Sequence, residues 1–368
     1  MDIDSKKTAA PASSGAGGWI ATLQSARFPF ALLVWLSHLD VPSFQGSFDF
    51  GGECAVSFFF VLSGFLLARA YGGRVAEGAF STRRFLSRHL CKLYPLHLLL
   101  FAAVLALDTA AGRVWSPAQL AANLLLVQTW LPSGSFTFVV NGVSWYLCDI
   151  FFFYLAFACV WRVLAKLRLR TLFALAALYA VAYAALFARL PEEWVNPLLY
   201  VNPLLRLPDF AAGIVLCRLW QSPAARRAVA CYPLSRTWVL RLAPVLLVVA
   251  AYALYTVTPH SLSCQLMLMP FSALAILALA CADGRGSAEK GFLHTPLALW
   301  LGGISFEFFM CHPLVFRLVR LFAAPEGTPF SDALYAAVSL LLSVLLAWLL
   351  SRFFVSPVRK ALLRMSGN

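Results

Sequence analysis

The chain has 368 residues, of which 61% are hydrophobic and only 12% are charged, and its mean hydropathy is +0.79. Soluble domains carry about a quarter charged residues, so this composition excludes an ordinary soluble protein and indicates one membrane domain. The net charge of +13 does not indicate nucleic-acid binding, because no basic stripe with interleaved aromatic residues stands apart from the apolar segments. The nine cysteines include no C-x-x-C pair, so no metal site is predicted.

Ten segments are candidate transmembrane helices, since a helical span needs about 20 mostly apolar residues. They are residues 27–44, 54–71, 93–111, 143–161, 171–190, 203–220, 238–257, 262–282, 297–322 and 331–355. The sixth is the least apolar, because Arg206, Pro208 and Asp209 interrupt it. The apolar stretch 118–131 is short and is predicted to be re-entrant or interfacial. We therefore predict an all-α integral membrane protein of about ten transmembrane helices.

The distribution of charge predicts the orientation of these helices. If the N-terminus is cytoplasmic, most of the 29 Lys and Arg residues fall in cytoplasmic segments, as the positive-inside rule requires. The basic residues left on the outer side are Arg113, Arg189, Arg206, Arg317 and Arg320. Both termini are thus predicted to be cytoplasmic, with a disordered tail at 1–18, a transmembrane domain at 19–356 and a basic tail at 357–368.

The first span carries two ionisable residues, in the segment RFPFALLVWLSH. Arg27 and His38 are eleven residues apart, close to three helical turns, so both side chains share one face at a separation of roughly 16 Å along the axis. Arg27 is predicted near the inner surface and His38 at or beyond the middle of the membrane. An ionisable group at that depth is costly and indicates function. The alternative is that His38 bonds a neighbouring helix and Arg27 extends to the interface.

The second span contains VSFFFVLSGFLLA, residues 56–68. Its small residues Ser63 and Gly64 favour close packing of another helix. Ser63 could act as a nucleophile only beside a base.

The segment RRFLSRHLCKLYPL, residues 83–96, joins a basic loop to the start of a helix. Positive-inside charge accounts for most of it. The functional interpretation is a cytoplasmic site for phosphates, because arginine forks bind phosphate in a bidentate manner.

Further polar residues fall within later spans. Asp149 follows Trp145 near the outer face, where it could orient a histidine or bind a sugar hydroxyl, while the aromatic residues could simply form an interfacial belt. Arg206 and Asp209 are three residues apart and could pair on one helix face. Glu307 and His312 are polar residues of the ninth span.

Taken in order, these segments resemble the acyltransferase-3 family of membrane O-acyltransferases, over about residues 19–356. The matching elements are Arg27 with His38, Phe59–Phe65, Arg88 with Tyr94–Leu96, Trp145 with Leu147 and Tyr154, Arg206 with Phe210 and Gly213, and Ser305 with His312 and Pro313. The chain departs from the family pattern at Ser57, where many members are acidic, and at Lys92, which replaces a second arginine. Asp149 stands one position before the acidic residue common in that span.

The resemblance implies transfer of an acyl group, usually acetyl, from cytoplasmic acyl-CoA to a hydroxyl of an exported or cell-surface glycan or glycolipid, in the inner (plasma) membrane. It implies no tightly bound cofactor and no nucleic acid. His38 is the expected general base and Arg27 a phosphate anchor, although a covalent acyl-histidine stays open. The expected donor-binding residues are Arg27, Arg84, Arg88, Lys92 and Tyr94, and the expected substrate-binding or supporting residues are Glu53, Ser63, Trp145, Asp149, Arg206 and His312.

Two other classes of function remain open. In a permease, His38, Arg206, Asp209 and Glu307 would form a substrate or proton path; the absence of an inverted repeat disfavours it. A membrane scaffold would explain the apolar spans but gives no reason for Arg27 and His38 to share a face.

Overall fold

A computed structural model describes residues 20–44, 49–131, 133–231, 237–257, 266–283 and 291–366. The predicted disordered tail at 1–18 lies outside these ranges. Within them the regular secondary structure is helical, as the apolar periodicity predicts.

Sixteen α-helices are described in those ranges and are numbered in chain order. They are α1 Ala21–Ser37, α2 Asp49–Ala76, α3 Thr82–Ala110, α4 Pro117–Leu124, α5 Gly134–Thr137, α6 Trp145–Lys166, α7 Leu169–Phe187, α8 Glu192–Val195, α9 Pro203–Trp220, α10 Pro223–Cys231, α11 Thr237–Tyr255, α12 Leu268–Asp283, α13 Pro296–Gly303, α14 Ser305–Phe322, α15 Pro329–Leu349 and α16 Ser356–Met365. Two π-helical turns, Asn196–Tyr200 and Leu350–Val355, precede α9 and α16.

In the described ranges, fewer helices than the ten predicted are long and apolar enough to cross a membrane. Five helical stretches of the described residues are long and apolar enough to cross a membrane, and up to seven if each of two bent pairs is one span. Helix α1 has 17 residues, which is short for a full crossing at about 20 residues. It begins six residues before the predicted span and ends at Ser37, so His38 follows the helix instead of lying within it. The structure thus supports a multi-pass helical protein without establishing ten spans or the side on which the termini lie.

Helices α2 and α9 pack with their backbones in direct contact. A Cβ atom at Gly64 would overlap the carbonyl of Phe210, and one at Gly213 would overlap the carbonyl of Val61. Gly64 of the FFFVLSGF segment therefore serves helix packing, as the composition of the segment predicts. This contact fixes α2, which supplies residues to both cavities described below.

The predicted ninth span is broken. Helices α13 and α14 meet at Ile304 with a bend of 62°. Gly302, just before the break, packs so closely on the carbonyl of Gln24 that a Cβ atom would overlap it. This contact brings the start of α14 against α1.

Ion pairs join the ends of three helices near the C-terminal end of α1. Asp108 of α3 accepts a 2.7 Å hydrogen bond from Arg317 of α14 and pairs with Arg113 at 3.5 Å. Asp40, just after α1, pairs with Arg320 at 3.1 Å. Three arginines predicted on the outer side thus lie at one end of the bundle, beside carboxylates that reduce the cost of their charge.

Candidate active site

His38 faces a cavity of about 350 Å³ between α1, α2 and α6. This His38 cavity is lined by Val34, Ser37, His38, Asp49, Gly52, Glu53, Val56, Phe138, Val143, Trp145, Val195, Asn196, Leu199, Tyr200 and Phe309. Two carboxylates, Asp49 and Glu53, lie in this wall four residues apart, on one face of the first turns of α2. The cavity therefore combines an imidazole and two acids with a mostly apolar and aromatic wall.

The hydrogen bonding of His38 identifies its tautomer. The Nδ1 atom lies 2.8 Å from the carbonyl oxygen of Val34, one turn earlier in α1. A carbonyl oxygen only accepts hydrogen bonds, so Nδ1 must carry the proton in this contact. In the neutral ring, Nε2 is then the atom with the free lone pair. This is the arrangement that a general base requires.

His312 is buried directly behind His38. Their ring centroids are 5.1 Å apart, and His312 has no exposed surface. Its ring packs among Phe308, Phe309 and Phe316 of the same helix. His312 therefore contacts the predicted base without lining the His38 cavity, which suits a supporting role.

Arg27 lines a second, smaller cavity of about 110 Å³. This Arg27 cavity is lined by Arg27, Phe59, Leu62, Ser63, Lys92, Leu93, Tyr146, Leu147, Ile150, Tyr154, Ser305, Phe306 and Phe309. Arg27 of α1 and Lys92 of α3 face it together, and Nη1 of Arg27 donates to Oε1 of Gln24 at 3.3 Å. Glu307 interacts electrostatically with both cations, so the site keeps a net positive charge.

Arg27 and His38, which the spacing predicts to share one helix face, line two different cavities. Among the described residues, Phe309 is the one that lines both of them. The ring centroid of Phe309 lies 5.3 Å from that of Tyr146 and 6.1 Å from that of His312. Both predicted residues thus line cavities, and one aromatic residue is common to the two walls.

Comparison with known proteins identifies the family. A profile of the acyltransferase-3 family, described as an acyltransferase domain, matches residues 20–352. The chain belongs to this family. Acyltransferase MdmB of Streptomyces mycarofaciens is 30% identical to it over 331 residues, which cover 81% of this chain and 79% of that protein.

A second relative is a protein of the picA locus of Rhizobium radiobacter. It is 34% identical over 121 residues, which cover 30% of this chain and 63% of that relative. No solved structure matches the chain.

The basic residues expected to bind the donor do not all lie together. Arg84, Arg88 and Lys92 are spaced four apart along α3 and so share a face. Lys92 faces the Arg27 cavity. Arg84 and Arg88 line a separate cleft of about 50 Å³ beside Tyr71. The three form a basic stripe that leads along α3 towards the Arg27 cavity.

Tyr94 is used elsewhere. Its hydroxyl donates to the carbonyl of Leu124 at 3.0 Å, and the residue lines neither cavity. One turn further on, His97 is fully buried and its Nε2 lies 3.1 Å from the carbonyl of Asn123. Both side chains connect α3 to the end of α4. This structural contact is sufficient to explain their positions.

Asp149 and Arg206 belong to a buried polar network outside both cavities. Arg206 pairs with Asp209 at 2.9 Å and donates to Oγ of Ser57 at 3.1 Å. Asp149 accepts from Oγ1 of Thr129 at 3.2 Å. The predicted pairing of Arg206 with Asp209 is confirmed. Asp149 bonds Thr129, and within the described part of the chain no histidine is its hydrogen-bond partner. Arg206 and Asp209 line neither the His38 cavity nor the Arg27 cavity.

The other supporting residues lie where the cavities need polar or aromatic groups. Glu53 and Trp145 line the His38 cavity. Ser63 lines the Arg27 cavity together with Tyr146.

Four side chains at or near the site were missed by the sequence reasoning. Asp49 is detectable afterwards as the partner of Glu53 four residues later in α2. Tyr146 and Phe309 carry no such signal, because Phe-rich and Tyr-rich helices are ordinary in membranes. Arg359, predicted within a tail, lies in α16 and interacts electrostatically with Lys92. Nothing in its spacing from α3 could have indicated this.

Proposed function

We propose that this chain is a multi-pass membrane O-acyltransferase that moves an acyl group, acetyl being the family expectation, from cytoplasmic acyl-CoA to a hydroxyl of an exported glycan or glycolipid. The observation that carries the proposal is the His38 cavity, in which an imidazole with an acceptor Nε2 lines a space of about 350 Å³ beside two carboxylates. A hydroxylated ligand of that size would find hydrogen-bond acceptors and aromatic faces in this wall.

The donor binds from the Arg27 side in this proposal. Arg27 and Lys92 lie together there, and their charges favour the phosphates of CoA. The predicted orientation puts this side towards the cytoplasm, where acyl-CoA is made. The apolar remainder of the wall, including Leu62 and Ile150, suits the pantetheine arm and a short acyl group.

The reaction then needs one proton transfer and one substitution. Nε2 of His38 takes the proton of the acceptor hydroxyl as its oxygen attacks the thioester carbonyl carbon. The C–O bond forms, the C–S bond breaks, and the thiolate of CoA leaves and is reprotonated. Positioned general-base catalysis of this kind contributes roughly 100- to 10,000-fold.

The test uses the purified full chain in detergent or proteoliposomes. Acetyl-CoA is supplied with and without a candidate glycan acceptor, and free thiol is measured together with the mass of the acceptor. Acceptor-dependent thiol release with a mass gain of one acetyl group is expected. Movement of a glycan across the proteoliposome membrane without thiol release would overturn the proposal in favour of a permease.

The identity of the acceptor is narrowed by comparing cells. Surface glycans from cells with the protein should carry an ester that is missing from cells without it, and mild alkali should remove that ester. Identical glycan mass spectra from the two cell lines would contradict a surface glycan as the acceptor.

A further inference from the structure

Phe309 lines both cavities, and only 6% of the residue is exposed. Its ring centroid lies 5.3 Å from that of Tyr146 and 6.1 Å from that of His312. This shared element of the two walls is called the Phe309 partition. Phe309 is held on α14 five residues beyond the break at Ile304, so its position follows from that bend.

A partition at this place has a chemical consequence that rests on the proposed function. Arg27 and His38 are roughly 16 Å apart along α1, and a thioester whose phosphates are held near Arg27 must reach Nε2 of His38. Phe309 is the one described residue that lines both cavities, so in the proposed reaction the thioester passes beside its side chain.

The partition also separates the thioester from water. The His38 cavity, at about 350 Å³, is many times the roughly 30 Å³ that one water molecule occupies in the liquid. With the passage open and no acceptor present, Nε2 of His38 could take a proton from water as the water oxygen attacks the thioester. The C–S bond would break, giving a carboxylic acid and free CoA. Closed active sites prevent side reactions of this kind.

We propose that the Phe309 side chain couples thioester cleavage to acceptor binding: it closes the passage between the cavities until an acceptor occupies the His38 cavity. This assigns Phe309 a positioning and gating role, since its hydrocarbon ring has no group that could transfer a proton.

The first test measures thiol release from acetyl-CoA without acceptor. Phe309→Ala should raise this background by at least about tenfold over the parent, since it removes the barrier that keeps water out. When acceptor is present, Phe309→Ala should give fewer molecules of acylated acceptor for each thiol released than the parent does. The matched control is Phe306→Ala, which removes the same ring from a residue that lines the Arg27 cavity alone. Equal backgrounds in the two variants would overturn the proposal.

Two further variants separate gating from loss of folding. Phe309→Leu keeps most of the side-chain volume and should give an intermediate background. His38→Ala in the Phe309→Ala chain should abolish the added hydrolysis, because the base is gone. Added hydrolysis that survives without His38 would contradict the proposed passage.

A second measurement does not depend on the donor. Ser63→Cys introduces a thiol into the wall of the Arg27 cavity, and a membrane-impermeant thiol reagent is applied in turn to each face of sealed vesicles. When the reagent is applied to the face on which His38 lies, the thiol introduced by Ser63→Cys should be labelled only in the chain that also carries Phe309→Ala. Labelling of the natural cysteines in the parent chain gives the background. If labelling follows this pattern but acetyl-CoA is never cleaved, the partition stands and the proposed donor is wrong. Equal labelling with and without Phe309→Ala would remove the partition itself.

Discussion

The His38 cavity and the Arg27 cavity are built on the same helix yet differ in size and charge. The first measures about 350 Å³ and presents Asp49 and Glu53 beside the imidazole. The second measures about 110 Å³ and presents Arg27 and Lys92. A wide, acidic compartment suits a hydroxylated acceptor, and a narrow, basic one suits a phosphorylated donor. One short helix, α1, thus contributes to two cavities of different chemistry, because one end lies beside the acids of α2 and the other beside Lys92 of α3.

The largest expected effect comes from removing the proposed general base of the His38 cavity. His38→Ala should lower kcat by roughly 100- to 10,000-fold, because it removes the proposed general base. The KM for acetyl-CoA should change little, since the donor is held in the other compartment. Steady-state kinetics with both substrates check this. Ser37→Ala is the control, since Ser37 lines the same cavity and has no proposed role in the proton transfer. Near-parental activity of His38→Ala would remove the role assigned to this residue.

The second largest effect is expected from breaking the buried ion pair between Arg206 and Asp209. Arg206→Ala leaves Asp209 as a buried charge without its arginine, and losing one member of such a pair costs about 3–5 kcal/mol. The thermal unfolding midpoint in detergent should fall accordingly. Arg320→Ala breaks the exposed pair with Asp40 and should cost less than about 1 kcal/mol. Restoration of most of the stability by Arg206→Met with Asp209→Leu would identify the pair as structural. Equal midpoints for the two single variants would contradict the burial argument.

A smaller effect belongs to the basic compartment. Arg27→Ala should raise the KM for acetyl-CoA by about 10- to 100-fold, the range expected for losing a hydrogen bond to a charged group, with a smaller change in kcat. For acetyl-pantetheine, which lacks the nucleotide phosphates, Arg27→Ala should raise the KM much less. Arg113→Ala, at the other end of the bundle, serves as the control. An unchanged KM for acetyl-CoA would mean that Arg27 does not anchor phosphate.

The smallest effect concerns the packing that supports both compartments. Gly64→Ala should destabilise the fold by about 1–3 kcal/mol, because its Cβ atom would meet the backbone of α9. Gly73→Ala is the matched control on α2, since no atom lies within 4 Å of a Cβ built there. Thermal unfolding of the two variants measures the difference. A Gly64→Ala midpoint no lower than that of Gly73→Ala would show that α2 and α9 can separate freely.

Several parts of the site follow from patterns inside single helices. The spacing of Arg27 and His38 predicts their separation by about three helical turns, and the small residues in FFFVLSGF predict the tight contact of Gly64 with another helix. The pairing of Arg206 with Asp209 follows from their separation of three residues. Each of these predictions depends only on the repeat of 3.6 residues per turn, which the sequence carries locally.

Other parts could not be read in this way. Tyr94 stands close to Lys92 in the sequence, yet its hydroxyl bonds the carbonyl of Leu124 and not a donor-site group. Asp149 was a reasonable partner for a histidine, but its helix turns the carboxylate towards Thr129. In both cases the rotation of a helix about its own axis decides the partner. That rotation is set by neighbouring helices.

By itself, the amino-acid sequence determined that this protein is helical with apolar segments long enough to cross a membrane, that it resembles the acyltransferase-3 family, and that a cation and an imidazole stand about three helical turns apart near its N-terminus. Hydrophobic composition and helical periodicity carry that information locally. Only the tertiary structure decided that Arg27 and His38 line different cavities and that Phe309 lines both. Contacts between α1 and α14, distant in sequence, depend on how bent helices pack, and no local pattern encodes that geometry.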